Sequence, residues 1–168
     1  MNDHYQTPDP WGYKSNLHDI HRRDRILEVL EDFAPFCKAL DIGCGEGWIT
    51  KELPSRTTVG FDISEVAIQR APNSIRKTHN PAEIIGQFDL VTATGVLYRH
   101  YEPAPLLRLI KRVASHIILT CHITRIEIRD INIIGKQIYE ETFPYRNSTE
   151  TLRVFKVNSN ERSTLHTT

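Results

Sequence analysis

An excess of either charge is missing from this 168-residue chain: 21 lysines and arginines balance 21 aspartates and glutamates, for a formal net charge of zero. Phosphate backbones are bound through clustered cations, so no nucleic-acid partner is expected. Long hydrophobic runs are absent too. The longest fall far short of the roughly 20 residues that cross a bilayer, and the polar N-terminus has no signal-peptide core. No membrane partner is therefore expected. Cysteine is scarce, and Cys37, Cys44 and Cys121 lie far apart with no CxxC pair. An odd number without ligand spacing reads as reduced thiols in a cytoplasmic protein. No cluster of His, Cys and carboxylates has metal-ligand spacing, so no metal is predicted.

What is present is concentrated in two short stretches. Ala39-Leu40-Asp41-Ile42-Gly43-Cys44-Gly45-Glu46-Gly47 is an apolar run opening into three glycines in five residues, and Phe61-Asp62-Ile63-Ser64 is a second run ending in an aspartate. Such glycines permit positive φ and let bare backbone approach a ligand more closely than any Cβ allows. Asp62 stands where a carboxylate accepts both hydroxyls of a ribose. A dinucleotide fingerprint wants glycine at the first, third and sixth positions, whereas here the sixth is Trp48. Asp41 and Glu46 place carboxylates beside the loop, which would repel a pyrophosphate but suit a cationic amino-acid tail.

Around these motifs the chain alternates between strands and helices. Asn16 or Ser15 caps an amphipathic helix over residues 16–33, carrying Ile20, Leu27, Leu30 and Phe33 at helical spacing. Strands are predicted at 38–42, 57–62, 74–78, 88–93 and 116–121, with helices at 45–53, 65–71 and from Pro103 to Val113. Residues 123–134 mix two periods and read as a short helix or loop. Residues 136–143 and 151–157 read as strands joined by a turn, and 158–168 as a frayed tail. The alternation predicts an α/β, doubly wound, mostly parallel sheet of about seven strands in one domain, residues 1–157.

The glycine segment with its acidic successor resembles the first motifs of class I (Rossmann-like) S-adenosylmethionine-dependent methyltransferases. The resemblance implies S-adenosyl-L-methionine as cofactor, an antiparallel hairpin closing the sheet, and residues 43–47 (Gly43, Cys44, Gly45 and Gly47 among them) passing beside the methionine moiety. It further implies Asp41 beside that loop, Asp62 on the ribose, Ile63 on the adenine face, and Thr94 and Gly95 lining the cofactor. Many relatives carry an acidic residue on the third strand for the adenine amino group. Here Asn80 and Glu83 are the candidates. The 94–101 segment holds no NPPY-type tetrapeptide, which counts against methylation of nucleobases or glutamine.

Tyr98 and His100 are the candidate catalytic residues on the acceptor side, His100 as base because histidine takes a proton near neutral pH. A lone loop histidine is more often simply solvated, and His18, His21, His116 and His122 share that reading. Asp9-Pro10-Trp11-Gly12-Tyr13 serves either to dock a polar arm or as part of a lid formed by residues 1–35. In the lid, Trp11 and Tyr13 cover a sulfonium by cation–π attraction. This Asp-Pro-Trp segment, followed by a helix and the glycine motif, resembles the NodS family, whose members N-methylate a glucosamine unit of chitin oligosaccharides. That implies a small-molecule or saccharide acceptor. Methylation of another small metabolite, and cofactor binding without turnover, remain open. An RNA methyltransferase would want a basic face, but Arg22, Arg23, Arg25, Arg108, Lys111, Arg112, Arg125 and Arg129 are scattered, and solvated helix faces explain them more simply.

Overall fold

A computed structural model describes residues 2–97, 102–125 and 128–158. Its frame is one seven-stranded sheet in the order β3-β2-β1-β4-β5-β7-β6. The strands are β1 (Phe36–Ile42), β2 (Ser55–Phe61), β3 (Arg76–Thr78), β4 (Phe88–Thr94), β5 (Ala114–Ile123), β6 (Lys136–Tyr145) and β7 (Ser148–Lys156). The pairs among β1 to β5 are parallel. β7 enters antiparallel between β5 and β6, as the resemblance implied. The order reverses between β1 and β4, so a crevice opens at the carboxyl ends of those strands, where open α/β sheets bind ligands.

Two apolar layers sandwich the sheet. On one face α1 (Leu17–Glu31) sets Ile26, Val29 and Leu30 against Phe36, Ala39, Leu90 and Leu119. Asn16 caps this helix, its side chain accepting from the His18 amide at 2.9 Å, which satisfies one of the orphan donors of the first turn. On the other face α3 (Ala104–Val113) presents Leu107, Ile110 and Val113 to Leu40, Val91 and Ile118. Between β2 and β3, α2 (Glu65–Arg70) starts at Ser64, whose hydroxyl accepts from the Ala67 amide.

The structure departs from the expected elements at the predicted 45–53 helix. The chain there makes turns, and only Thr50–Glu52 is a 3-10 turn. Gly43, Gly45 and Gly47 all have positive φ, and the Thr50 hydroxyl is committed to Asp41 at 2.6 Å. Consecutive helical bonds cannot start in a segment whose backbone keeps reversing hand. Of the segment expected to be a short helix or loop, residues 124–125 and 129–130 are turns and Ile131–Ile134 is a 3-10 turn. Tyr98 and His100 lie outside the described residues, as does the tail from 159 onward.

Candidate active site

A cavity of about 270 Å³ lies at the carboxyl ends of β1, β2 and β4. Its floor is the glycine loop. Gly43 has φ +76°, and a Cβ there would run into Val96 on the neighbouring loop. At Gly45 (φ +53°) a Cβ would sit 3.0 Å from the Tyr5 hydroxyl. These two positions therefore require glycine, both for backbone hand and for space. Gly47 stands outside the lining and backs onto Pro72 and Ile75 beside α2.

Asp62 ends β2 and is buried. Its Oδ2 accepts from the Gly45 amide at 2.9 Å and its Oδ1 from the Ser64 amide at 2.8 Å. Burial raises its pKa while those two amides oppose the rise. Each oxygen keeps a further lone pair for a ligand hydroxyl. Asp41 is buried at the end of β1, its two oxygens accepting from Thr50 Oγ1 at 2.6 Å and Thr92 Oγ1 at 2.7 Å. Desolvation pushes it up to about 6, although both hydroxyls oppose the shift. The Cys44 thiol is pushed well above its ordinary value by burial beside Asp41 and Asp62, so it stays protonated and inert. Ile63 is 59 % exposed although it lines the cavity, an unusual placement for a bulky apolar side chain. Thr94, Gly95 and Val96 form the β4 side.

The arm closes the crevice from above. Tyr5 meets Trp11 edge-on at 5.0 Å, and Trp11 stacks on Tyr13 at 5.7 Å. All three line the cavity. The arm is fastened to the loop by the Asp9 amide donating to Glu46 Oε2 at 3.1 Å, and to the hairpin tip by Arg146 donating to the Trp11 carbonyl at 3.0 Å. Burial beside Asp62 pushes the Tyr5 hydroxyl well above its usual range, so it remains a donor.

The sequence reading missed Arg22. It is not on a solvated helix face: it is 6 % exposed and lines the crevice. Its guanidinium pairs with Glu150 at 3.3 Å and Asp19 at 3.5 Å and lies over the Tyr13 ring. Among the described residues its Nε has no partner, and neither does Trp48 Nε1 in the same lining. Asp19, in the first turn of α1, is likewise buried and accepts from Tyr145 Oη and Arg146. Asn80 and Glu83 do not reach the crevice: Asn80 caps a 3-10 turn and Glu83 accepts from the Thr78 hydroxyl.

Comparison with known proteins decides the family. The methyltransferase domain family matches residues 17–125. The chain belongs to that family. Nodulation protein S of Sinorhizobium fredii is 28% identical over 102 residues, covering 54% of this chain and 47% of that protein. The chain thus spans about half the length of this curated relative. Among solved structures, N-methyltransferase NodS of Bradyrhizobium japonicum in complex with S-adenosyl-L-homocysteine superposes with a TM-score of 0.78 at 16% identity, over 92% of this chain and 94% of that one. The magnesium protoporphyrin IX methyltransferase of Synechocystis with bound S-adenosylmethionine gives 0.71 at 16%, over 94% and 95%. The shared architecture is the Rossmann-like class I methyltransferase fold. Among the described residues no helix is long and apolar enough to cross a membrane, and no group of three or more His, Cys, Asp or Glu is placed to hold a metal ion.

Proposed function

We propose that this chain is a methyltransferase that moves a methyl group from S-adenosyl-L-methionine to a small-molecule or saccharide acceptor. One observation carries the reading: the crevice lining combines two carboxylates with buried hydrogen-bond donors that have no partner among the described residues. Asp41 and Asp62 are carboxylates, while Arg22 Nε and Trp48 Nε1 are buried donors without partners. A zwitterionic amino acid joined to a cationic sulfonium and a ribose meets all of these, whereas a diphosphate would face two buried carboxylates. Asp62 would hold the ribose, Arg22 the carboxylate, and Asp41 the positive charge. Ile63 would cover the adenine. Bound cofactor supplies a methyl group on a positively charged sulfur, a leaving group that needs no further activation.

The protein's work is alignment and exclusion of water. Trp11 and Tyr13 line the crevice as a stacked pair, whose aromatic rings attract a cation and shut out solvent. A neutral amine attacks without a strong base and only has to shed a proton, a task suited to His100, with Tyr98 beside the acceptor. The similarity to the nodulation proteins supports an amino sugar as that amine. The likeness to the magnesium protoporphyrin enzyme keeps acceptors other than sugars in the test. That test is a screen for S-adenosylhomocysteine release with deacetylated chitin oligosaccharides, generic amines and carboxylates. Release with one acceptor class supports the reading. Cofactor binding without release in any well would leave a binding module.

A further inference from the structure

The α3 face of the sheet continues past β5 onto the β6–β7 hairpin, and its character changes there from apolar to polar. Ile118 and Phe155 belong to the α3 layer, so strand alternation places Thr120, His122, Thr151 and Arg153 on the same face. Arg153 pairs across to Thr120 on one side and Glu140 on the other. Arg153 Nε donates to Glu140 at 2.6 Å, and its Nη1 lies 3.1 Å from His122 Nε2. A guanidinium can only donate, so Nε2 accepts and the His122 proton resides on Nδ1. That Nδ1 is buried, on a residue 2 % exposed, and has no partner among the described residues. The Thr120 hydroxyl two residues earlier is equally unpartnered. Burial and Arg153 hold the imidazole neutral, its pKa lowered to about 4. His122 is thus a fixed hydrogen-bond donor, not a base.

Arg153, in this row, also lines a groove of about 780 Å³ together with Glu140, Gln137, Thr124 and residues 128–133. Arg129, Arg153, Asp130 and Glu140 all line it, so its charged side chains balance and favour neither an anion nor a cation. Thr124, Asn132 and Gln137 add neutral donors and acceptors, with isoleucines between them. A ligand bearing many hydroxyls and apolar ring faces, and no net charge, satisfies both sets.

The groove also stands in reach of the transfer point. Thr94, in the crevice lining, is level with Cys121 on β5, and the Gly95 amide donates to the Cys121 carbonyl at 2.8 Å. From β4 to β7 is two strand spacings, about 10 Å, further than a single sugar ring extends. Resting on the methyltransferase reading above, we infer that this groove is a distal acceptor subsite that binds the uncharged part of an oligosaccharide, with Arg153, Glu140, Asn132 and Gln137 as its contacts.

The test uses the full chain with S-adenosylhomocysteine, probed by neutral N-acetylated chitotetraose and by N-acetylglucosamine. Amide resonances should move at Thr124, Asn132 and Gln137 with the tetrasaccharide and stay still with the monosaccharide. The exposed pair Asn132→Ala/Gln137→Ala should weaken tetrasaccharide binding about tenfold in calorimetry, with unchanged affinity for S-adenosylhomocysteine. An unchanged tetrasaccharide affinity, or shifts confined to the glycine loop, would overturn the subsite. So would tighter binding of an anionic oligogalacturonate of equal length. If the groove binds but no acceptor yields S-adenosylhomocysteine, the methyl-transfer reading falls alone. If acceptors turn over and the groove stays silent, the subsite falls alone.

Discussion

The two ends of the carboxyl edge are built in different ways. The cofactor side is local: Gly43, Gly45 and Asp41 lie within five residues, and Asp62 reaches back 17 residues to the Gly45 amide. The hairpin side is assembled from afar, with Arg22 reaching Glu150 across 128 residues and Arg153 reaching His122 across 31. A local site is held by the backbone's own hand and spacing. A distant one is held by buried charges that need each other. Loss of a charged partner on the hairpin side should therefore damage folding first, whereas on the cofactor side a lost side chain should damage binding first and only a Cβ forced onto the glycine loop should damage folding.

The largest effect is expected at Arg22→Met, which leaves Glu150 buried with the Cys121 thiol as its one remaining side-chain partner among the described residues. Breaking a buried pair from one side costs about 3 kcal/mol or more, read as a lower urea midpoint. A midpoint within error of the parent would break the contrast. Next is Gly43→Ala, which combines a positive φ with collision against Val96 and should lose about 2–3 kcal/mol. Asp62→Ala should weaken S-adenosylmethionine binding by about 2 kcal/mol through the lost ribose bonds. Unchanged affinity in calorimetry would remove the ribose assignment.

Asp41 sharpens the comparison through pH. Its folded pKa of about 6 lies above the unfolded value of 3.8. The folded form therefore binds the extra proton between those values, and its stability falls as pH rises from about 4 to 6. The penalty is complete above pH 6, on the order of 3 kcal/mol. Asp41→Asn should erase that slope and raise ligand-free stability at pH 7, while weakening cofactor binding. A variant less stable than the parent at pH 7 would contradict this. The smallest effect belongs to Trp11→Ala, expected to lower turnover several-fold with a change in stability under about 1 kcal/mol. Equal activity in a chain lacking residues 1–13 would discard the lid.

This same contrast explains what could be read before folding. The parallel order, the hairpin and the Asp62 turn follow from strand period, glycine spacing and one carboxylate, all short-range signals. Arg22 reads as solvated by residue type because the partners that bury it, Glu150 and Tyr145, are brought to α1 by the distant β6–β7 hairpin. Its neighbours His21 and Arg23 carry the same residue types, and only the helix phase distinguishes them. With Ile26, Val29 and Leu30 as the buried stripe, Arg22 falls on that stripe four residues before Ile26. That phase was the available signal. His122 was hidden for a related reason: its tautomer depends on Arg153, two strand registers away in a turn-closed hairpin. The failed helix at 45–53 shows the opposite limit, where the helix expected after β1 is broken at its start by positive φ at Gly45 and Gly47.

The most direct test of the account is a crystal of the chain grown with S-adenosyl-L-homocysteine. The account places the amino-acid end between the 43–45 loop and Arg22, and the ribose hydroxyls on Asp62. A crevice free of density at saturating ligand, or a nucleotide diphosphate preferred there, would contradict it.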